Sequence, residues 1–385
     1  IIDGKKVQST QKPTIVSSTL TWEKVTTLDL GLDARFFNDA LGVTFDWYNR
    51  TTSDILTTAN LPATLGAAAP YENMGTIQTK GWDLAIDYRH TFRHGLHFGV
   101  TASVADDKTE VTKWTHNTKI PTYGATGWWD KSAYKEGMVL GDIWGLQFDR
   151  FLTEDDFNAD GSLKAGLPDQ TKVFPAGYQF APGDVLYKDL DNNGEIVKQT
   201  NTNEKGDLSV IGNALPRLQF GLNLDAAWKG FDISMFFQGV AKRKLWAAGN
   251  QVLPGFTTGE PFYKGAEDYW TPENTDAFYP RPMDYKQSAS GNYSVNDRYL
   301  LNMAYLRLKT FTVGYSLPKV WLSKFKVQGL RVYFTGENLF TIDGVKPAID
   351  PEIGIRTAGT SSDQRNFGRS YPYQKTVSFG IQLSL

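Results

Sequence analysis

The chain has 385 residues, a formal net charge of −2, four histidines and no cysteine. A chain without cysteine has no disulfide scaffold, cysteine nucleophile or zinc ribbon, and a near-neutral charge with scattered Lys and Arg lacks the basic surface that nucleic-acid binding requires. No segment approaches the ~20 consecutive apolar residues of a membrane-spanning helix, so only a β-barrel would carry this chain across a bilayer.

Segments in which apolar and polar residues alternate recur along the whole chain. In the first of them, Leu28 and Leu30 face one way while Asp29 and Asp33 face the other, which is the period of a β-strand. The pattern predicts nine spanning strands, at residues 24–35, 41–55, 77–90, 96–109, 216–228, 231–246, 302–316, 325–338 and 373–385. The stretch 110–215 must then add an even number of strands, zero included, although residues 139–152 also have the pattern of a strand.

The connections between these predicted strands alternate between short and long. Short turns lie at residues 35–40, 91–95, 229–230 and 318–324, and connections of about 20 to 55 residues lie between them. A transmembrane barrel with short periplasmic turns and long extracellular loops has this order, whereas most connections of a soluble β-sandwich are short. Rings near strand ends, such as Trp47, Trp228 and Tyr315, also favour the barrel, because aromatic girdles mark both membrane interfaces.

The predicted strand at residues 302–316 has one irregularity. Its apolar phase shifts around Lys309 and Phe311. Either the upper part of the strand projects beyond the lipid, where an outward lysine is harmless, or a β-bulge resets the register.

One segment has the opening pattern of a calcium-binding loop. Side chains that carry oxygen alternate at Asp189, Asp191, Asn193 and Glu195, with a glycine for the sharp turn. Oxygen ligands at this spacing are typical of calcium sites. The match is incomplete, because Thr200 stands where a bidentate glutamate belongs. The alternative is a turn in which Asp and Asn side chains cap their own backbone.

Two long connections are rich in aromatic residues near Asp, Asn and Lys. The candidate ligand contacts are Tyr123, Trp128, Trp129 and Tyr134 in one connection, and Phe262, Tyr263, Tyr269 and Trp270 in the other. Aromatic faces stack on the CH-rich faces of sugars while polar side chains bind the hydroxyls. The alternative is that these rings only pack the loops together.

No enzymatic site is predicted. His90, His94 and His97 cluster at one turn, but strand alternation sends neighbours to opposite faces and no carboxylate completes a metal site. A catalytic triad, a phosphate-binding glycine loop and a dinucleotide fingerprint are all missing from the sequence.

Six stretches, in order along the chain, resemble the SusC-like (RagA-like) TonB-dependent transporters. They are LTWEKVTTLDLGLD at residues 20–33, IGNALPRLQFGLNLDAAWKGFDISMFFQGV at 211–240, YWTPENTDAFYPRP at 269–282, YLRLKTFTVGYSLPK at 305–319, GENLFT at 336–341 and DPE at 350–352. The segment around Asp189 is similar to that family's DLNGDG segment.

The resemblance implies a 22-stranded barrel around an N-terminal plug in the outer membrane of a Gram-negative bacterium. It also implies that TonB energises the transporter and that a SusD-like surface lipoprotein closes it from outside. The chain begins with Ile1 and has no signal sequence, so we expect it to be a fragment of a longer precursor. The resemblance implies that residues 1–385 are the C-terminal part of the barrel, with the plug and the first barrel half outside this chain.

The expected function is therefore active import of a glycan or oligosaccharide through a multi-pass barrel surrounded by outer-membrane lipid. Import of oligopeptides, as in the RagA-like branch, is the alternative within this architecture. A soluble carbohydrate-binding β-sandwich adhesin is the alternative from another class. No cofactor is expected apart from the candidate calcium ion.

Overall fold

The structure is a computed structural model that describes residues 17–18, 20–58, 70–115, 134–199, 204–247, 249–256, 262–283, 291–323, 327–346, 349–352 and 371–384. Sixteen strands form in the described residues: β1 Lys24–Phe36, β2 Leu41–Thr58, β3 Tyr71–Thr91, β4 His97–Trp114, β5 Asp142–Gly145, β6 Phe148–Phe151, β7 Val185–Tyr187, β8 Ser209–Asn213, β9 Arg217–Trp228, β10 Phe231–Lys242, β11 Lys244–Leu245, β12 Leu301–Asn302, β13 Tyr305–Ser316, β14 Gly329–Glu337, β15 Thr341–Asp343 and β16 Thr376–Ser384. A 3-10 helix at Glu154–Asp156 and a short helix α1 at Lys319–Leu322 complete the elements.

Nine long strands form one antiparallel wall. Their order is β1-β2-β3-β4-β9-β10-β13-β14-β16, and β15 extends the ladder on β13. These are the nine spanning strands that the alternating pattern predicted. Strand β4 pairs directly with β9, so the described part of 110–215 adds no strand to the wall. Within 139–152 the chain forms two short strands, β5 and β6, which pair with β8 and β7 outside the wall.

Tight turns join neighbouring wall strands at one edge. Strands β9 and β10 are joined by Lys229 and Gly230, which both have positive φ, at 47° and 87°. Two such residues make the mirror-image turn whose twist matches that of paired strands. Helix α1 lies in the connection between β13 and β14 at this edge. The predicted short turns at residues 35–40, 91–95 and 229–230 are therefore confirmed. The predicted turn at 318–324 lies within a longer connection, residues 317–328, part of which is outside the described residues.

The two faces of the wall differ in chemistry. One face exposes apolar side chains on most of the wall strands; on β16, Phe379 is 82% and Ile381 73% exposed. The other face is polar and is crossed by ion pairs, such as Arg35 Nη1 to Asp87 at 2.8 Å. An apolar face of this extent is the lipid-facing side of a barrel, and the polar face is its interior. No helix in the described ranges is long and apolar enough to cross a membrane.

A β-bulge interrupts β13 at the position where the sequence changed phase. Phe236 of β10 pairs with Thr310, whereas the next residue, Phe237, pairs with Leu308, so Lys309 has no cross-strand partner on β10. Of the two explanations left open by the sequence, the bulge is confirmed. Beyond the bulge, the Nζ of Lys309 lies 3.0 Å from the carboxylate of Glu352 in the last long connection.

The first part of that last connection is fastened to β13 by buried charges. The guanidinium of Arg307 contacts Asp350 at 2.7 Å and Glu352 at 2.9 Å, and its Nε donates to the hydroxyl of Thr341 at 2.8 Å. All three charged side chains are less than 10% exposed. The base of the connection is therefore held in one position above the wall.

The two longest connections pack against each other into one body, which we call the loop module and define as the described residues of 134–215 and 244–303. One of its apolar cores joins Ile143 of the first connection to Leu253 and Tyr299 of the second. The other core joins Leu146 to Trp270. The module therefore has an interior of its own, which positions the candidate site.

Candidate ligand-binding site

The second connection, residues 246–300, forms a cavity of about 460 Å³. Three of its four predicted ligand contacts line the cavity: Phe262, Tyr263 and Tyr269. The fold adds the rings of Tyr279 and Tyr293 to the same lining. The volume lies within the range of about 300 to 1,000 Å³ that small-molecule sites occupy, so the cavity can hold a compact ligand.

Trp270, the fourth predicted contact, is absent from this lining. Its ring packs in the core of the loop module with Leu146 and Phe174. It also covers Gly183, where a Cβ would lie 2.5 Å from the ring and where φ is +89°, so both space and backbone conformation require glycine. In this structure Trp270 is a packing residue beside the site.

The remaining lining combines prolines with two charged side chains. Pro254, Pro280 and Pro282 form part of the cavity lining, together with Lys264 and Glu267. Both charged residues are exposed, and neither makes an ion pair or side-chain hydrogen bond with a described residue. Their ammonium and carboxylate groups are therefore available to a ligand.

A buried hydrogen-bond network holds the prolines of the cavity lining in place. The carboxylate of Asp184 accepts from the hydroxyl of Tyr178 at 2.8 Å, from Nε of Arg281 at 2.9 Å and from Nδ2 of Asn292 at 2.9 Å. Burial, followed by the charge of Asp184, raises the pKa of Tyr178, which keeps its phenol a donor. Because Arg281 stands between Pro280 and Pro282, this network holds one side of the cavity in place.

The candidates in the first connection have another outcome. Tyr123, Trp128 and Trp129 lie outside the described residues. Tyr134 is buried against Trp114, with 5.1 Å between ring centroids, in a core that includes Met74 and Met138. The structure thus places Tyr134 in the packed base of its connection, and contact between Tyr134 and a ligand stays a prediction.

The calcium-loop pattern folds into an acidic turn, and the carboxylates that converge there include only two of the four residues predicted from the sequence. Carboxylate oxygens of Asp189, Asp191 and Asp207 lie within 4.8 Å of one another. The sequence pattern did not include Asp207, a buried residue outside the loop whose pKa is raised by burial. Of the predicted ligands, Glu195 pairs instead with Lys172, and Asn193 donates its side-chain amide to Asp191 at 3.1 Å.

The acidic turn is the only metal-spaced group of His, Cys, Asp or Glu in the described part of the chain. The histidines at the turn between β3 and β4 make other contacts. His90 packs edge-on against Phe92 at 4.6 Å between centroids, and Nδ1 of His97 lies 2.8 Å from the hydroxyl of Thr91. These contacts are structural ones at the end of a hairpin.

Comparison with known sequences gives consistent matches. The family model described as TonB dependent receptor-like, beta-barrel, matches residues 5–339. TonB-dependent receptor P3 of Formosa agariphila is 27% identical over an alignment of 395 residues that covers 100% of this chain and 36% of the relative. TonB-dependent receptor SusC of Bacteroides thetaiotaomicron is 24% identical, covering 99% and 34%. The chain spans about a third of the length of these relatives.

Comparison with solved structures shows the same fold. The structure of the RagAB peptide transporter matches with a TM-score of 0.66 and 21% identity, over 95% of this chain and 36% of that chain. The RagAB peptide importer in its closed-closed state matches with a TM-score of 0.65 and 22% identity. At this identity the match establishes the fold and leaves the cargo open.

Proposed function

Because this chain belongs to the family of TonB dependent receptor-like β-barrels, we propose that it is part of the wall of an outer-membrane importer that takes up a glycan or oligosaccharide. The observation that carries the proposal is the two-faced wall of nine antiparallel strands. Its apolar face suits lipid and its polar face suits a wet or plugged interior. The soluble β-sandwich alternative does not fit, because it requires two sheets that bury their apolar faces against each other.

The choice of a glycan rests on the cavity in the loop module. Phe262, Tyr263 and Tyr269 gather there with Lys264 and Glu267, and this mixture of rings and charged groups supplies both stacking and hydrogen bonds to a sugar. Import of oligopeptides is the second candidate. It is supported by the structural match to the proteins described as a peptide transporter and a peptide importer.

The energy source, plug and partner are proposals of the same kind. The relatives are about three times longer than this chain. We propose that residues 1–385 are the C-terminal part of a 22-stranded barrel whose remaining chain supplies the plug and the contact with TonB. We also propose a SusD-like lipoprotein as the partner above the loop module.

Uptake by living cells tests the function. Deletion of the gene should abolish uptake of at least one fluorescently labelled oligosaccharide, and the full-length gene should restore it. Collapse of the proton gradient that drives TonB should have the same effect as deletion. Loss of labelled-peptide uptake, with every oligosaccharide unaffected, would replace the first candidate by the second; unchanged uptake of both panels would remove the transporter proposal.

We propose calcium as the ion that binds at Asp189, Asp191 and Asp207. Three carboxylates converge there, and hard oxygen ligands suit calcium. Addition of calcium to the metal-free full-length protein should raise its unfolding temperature, and Asp191→Asn should reduce that rise. An equal rise in the variant would place the ion elsewhere. An unchanged unfolding temperature in both proteins would leave the turn as a self-capping loop.

A further inference from the structure

Two neighbouring tyrosines in the loop module carry hydroxyls that have no partner among the described residues. Tyr293 is 4% exposed and Tyr299 is 2% exposed, and their ring centroids lie 5.3 Å apart. The hydroxyl of Tyr299 is sealed from solvent, whereas Tyr293 lines the cavity. A buried hydroxyl without a partner costs free energy, and of the two tyrosines only Tyr293 lines a cavity in which a ligand could supply that partner.

The other polar side chains of the cavity lining are either exposed or already hydrogen-bonded. Tyr263, Lys264, Glu267 and Tyr269 are exposed, and their side chains form no hydrogen bond with any described residue. Tyr279 differs, because its hydroxyl donates to the carbonyl of Val252 at 3.0 Å. The cavity lining therefore combines aromatic rings, one buried tyrosine whose hydroxyl has no partner among the described residues, and exposed side chains with free donors and acceptors.

The prolines of the cavity lining argue against an extended peptide as the ligand. Proline has no backbone N–H, so Pro254, Pro280 and Pro282 cannot donate the main-chain hydrogen bonds by which peptides are usually held. An apolar peptide side chain would also leave the hydroxyl of Tyr293 without a partner. A sugar ring avoids both problems, because it offers CH faces to the rings and hydroxyls at both of its ends.

We propose that this cavity is a subsite for one pyranose unit, and that the hydroxyl of Tyr293 forms a hydrogen bond with the buried end of the sugar ring. The choice of a sugar rests on the proposed glycan import, and the role of Tyr293 goes beyond it. Phe262 and Tyr269 stack on the ring, and Lys264 and Glu267 bind its outer hydroxyls.

Ligand-detected NMR on the full-length protein in detergent tests the proposal, with the methyl glycosides of glucose, galactose, mannose and xylose as probes. At least one probe should bind through its ring CH groups. Tyr293→Phe should weaken that probe about fivefold, which corresponds to about 1 kcal/mol, the worth of one neutral hydrogen bond. Because the substitution removes an unpaired hydroxyl, the unfolding temperature should not fall.

Tyr299→Phe is the matched control, since it removes an unpaired hydroxyl that no ligand can reach; its affinity should equal that of the wild type. Binding of none of the four probes, or equal affinity in Tyr293→Phe, would overturn the proposal. Binding of a tripeptide with a central phenylalanine, when none of the four glycosides binds, would assign the cavity to peptides. Glycan uptake by cells that persists in any of these cases would leave the proposed function standing while this inference falls.

Discussion

Arg307 lies with two carboxylates at a position from which water is nearly excluded. Removal of one partner from such a cluster leaves the remaining charges buried and uncompensated, which costs about 3 to 5 kcal/mol. Arg307→Ala should therefore lower the stability of the full-length protein by that amount in urea unfolding. The exposed pair of Lys24 and Asp54, 3.4 Å apart, provides the control, because Lys24→Ala should change stability by less than about 1 kcal/mol. Equal effects of the two substitutions would show that Arg307 is not buried as described.

Asp156 gives the loop module a dependence on acid. The side-chain hydrogen bonds from Arg150, at 2.6 and 2.7 Å, lower the pKa of Asp156 from 3.8 to about 2. A carboxyl whose pKa is depressed in the folded state stabilises it above the unfolded pKa and loses that effect as the pH falls through the folded value. We expect the module to lose about 1 to 2 kcal/mol between about pH 4 and pH 2, allowing for the partly exposed Arg150.

Tryptophan fluorescence during urea unfolding, measured across that pH range, checks the expectation. Asp156→Asn should be less stable at pH 6 and should show a flatter profile toward pH 2. A profile as steep as that of the wild type would assign the acid sensitivity to other carboxylates.

At the scale of residues, the sequence predicted the kinds of residue that line a site better than it predicted which positions come together. It identified Phe262, Tyr263 and Tyr269 as site candidates, because aromatic residues near charges are a local signal. It missed Tyr293 and Asp207, since neither carries a local pattern and each reaches its site only through contacts between distant segments. Tyr279 could have been noticed, because it begins the Tyr-Pro-Arg-Pro run within a stretch that had already been singled out.

At the scale of elements, each wall strand was predictable because a period of two is written in consecutive residues. The pairing of β16 with β14 also decides which inward-facing residue is a suitable control. Gln382 lies on the polar face of β16 but stands directly opposite Arg331 of β14, so an arginine there would meet a like charge. Ser378, opposite Thr335 on the same face, is the better control for an inward substitution.

Phe379→Arg and Ile381→Arg should each destabilise the barrel by about 2 to 4 kcal/mol, the cost of a charge on the lipid face near the middle of the membrane. Ser378→Arg, which faces the interior, should be much milder. The comparison is made on the full-length protein in lipid vesicles by urea unfolding followed by tryptophan fluorescence. Equal losses for the two faces would contradict the assignment of lipid and interior sides.

The fold of the whole molecule was only half predictable. The wall follows from local patterns, whereas the loop module depends on pairs such as β5 with β8, which are separated by more than 60 residues. Irregular segments of this length carry no periodicity, so their packing could not be derived. The two longest connections were expected to be loops, and their described residues instead form a folded body with two apolar cores.

The proposed lipoprotein partner is tested at this scale. Shortening of connection 246–300 should release the partner in a detergent pull-down, while the barrel stays heat-resistant on a gel because the wall strands keep their own ladder. The shortened protein also loses core residues such as Leu253, so Tyr299→Phe, which keeps the module folded, serves as the control that retains the partner. An undiminished pull-down with the shortened protein would sink the proposal.

The bulge at Lys309 divides β13 into two parts, and each part should tolerate different types of residue. Toward helix α1, successive positions of β13 alternate between lipid and interior, so tolerance of charged substitutions should alternate with them. Beyond Lys309 the strand is bordered by β15 and by the carboxylates of the last connection, and a cation becomes the favoured residue. Mutational tolerance along β13 should therefore change its pattern within a single residue, and that residue would mark the height at which the bilayer ends.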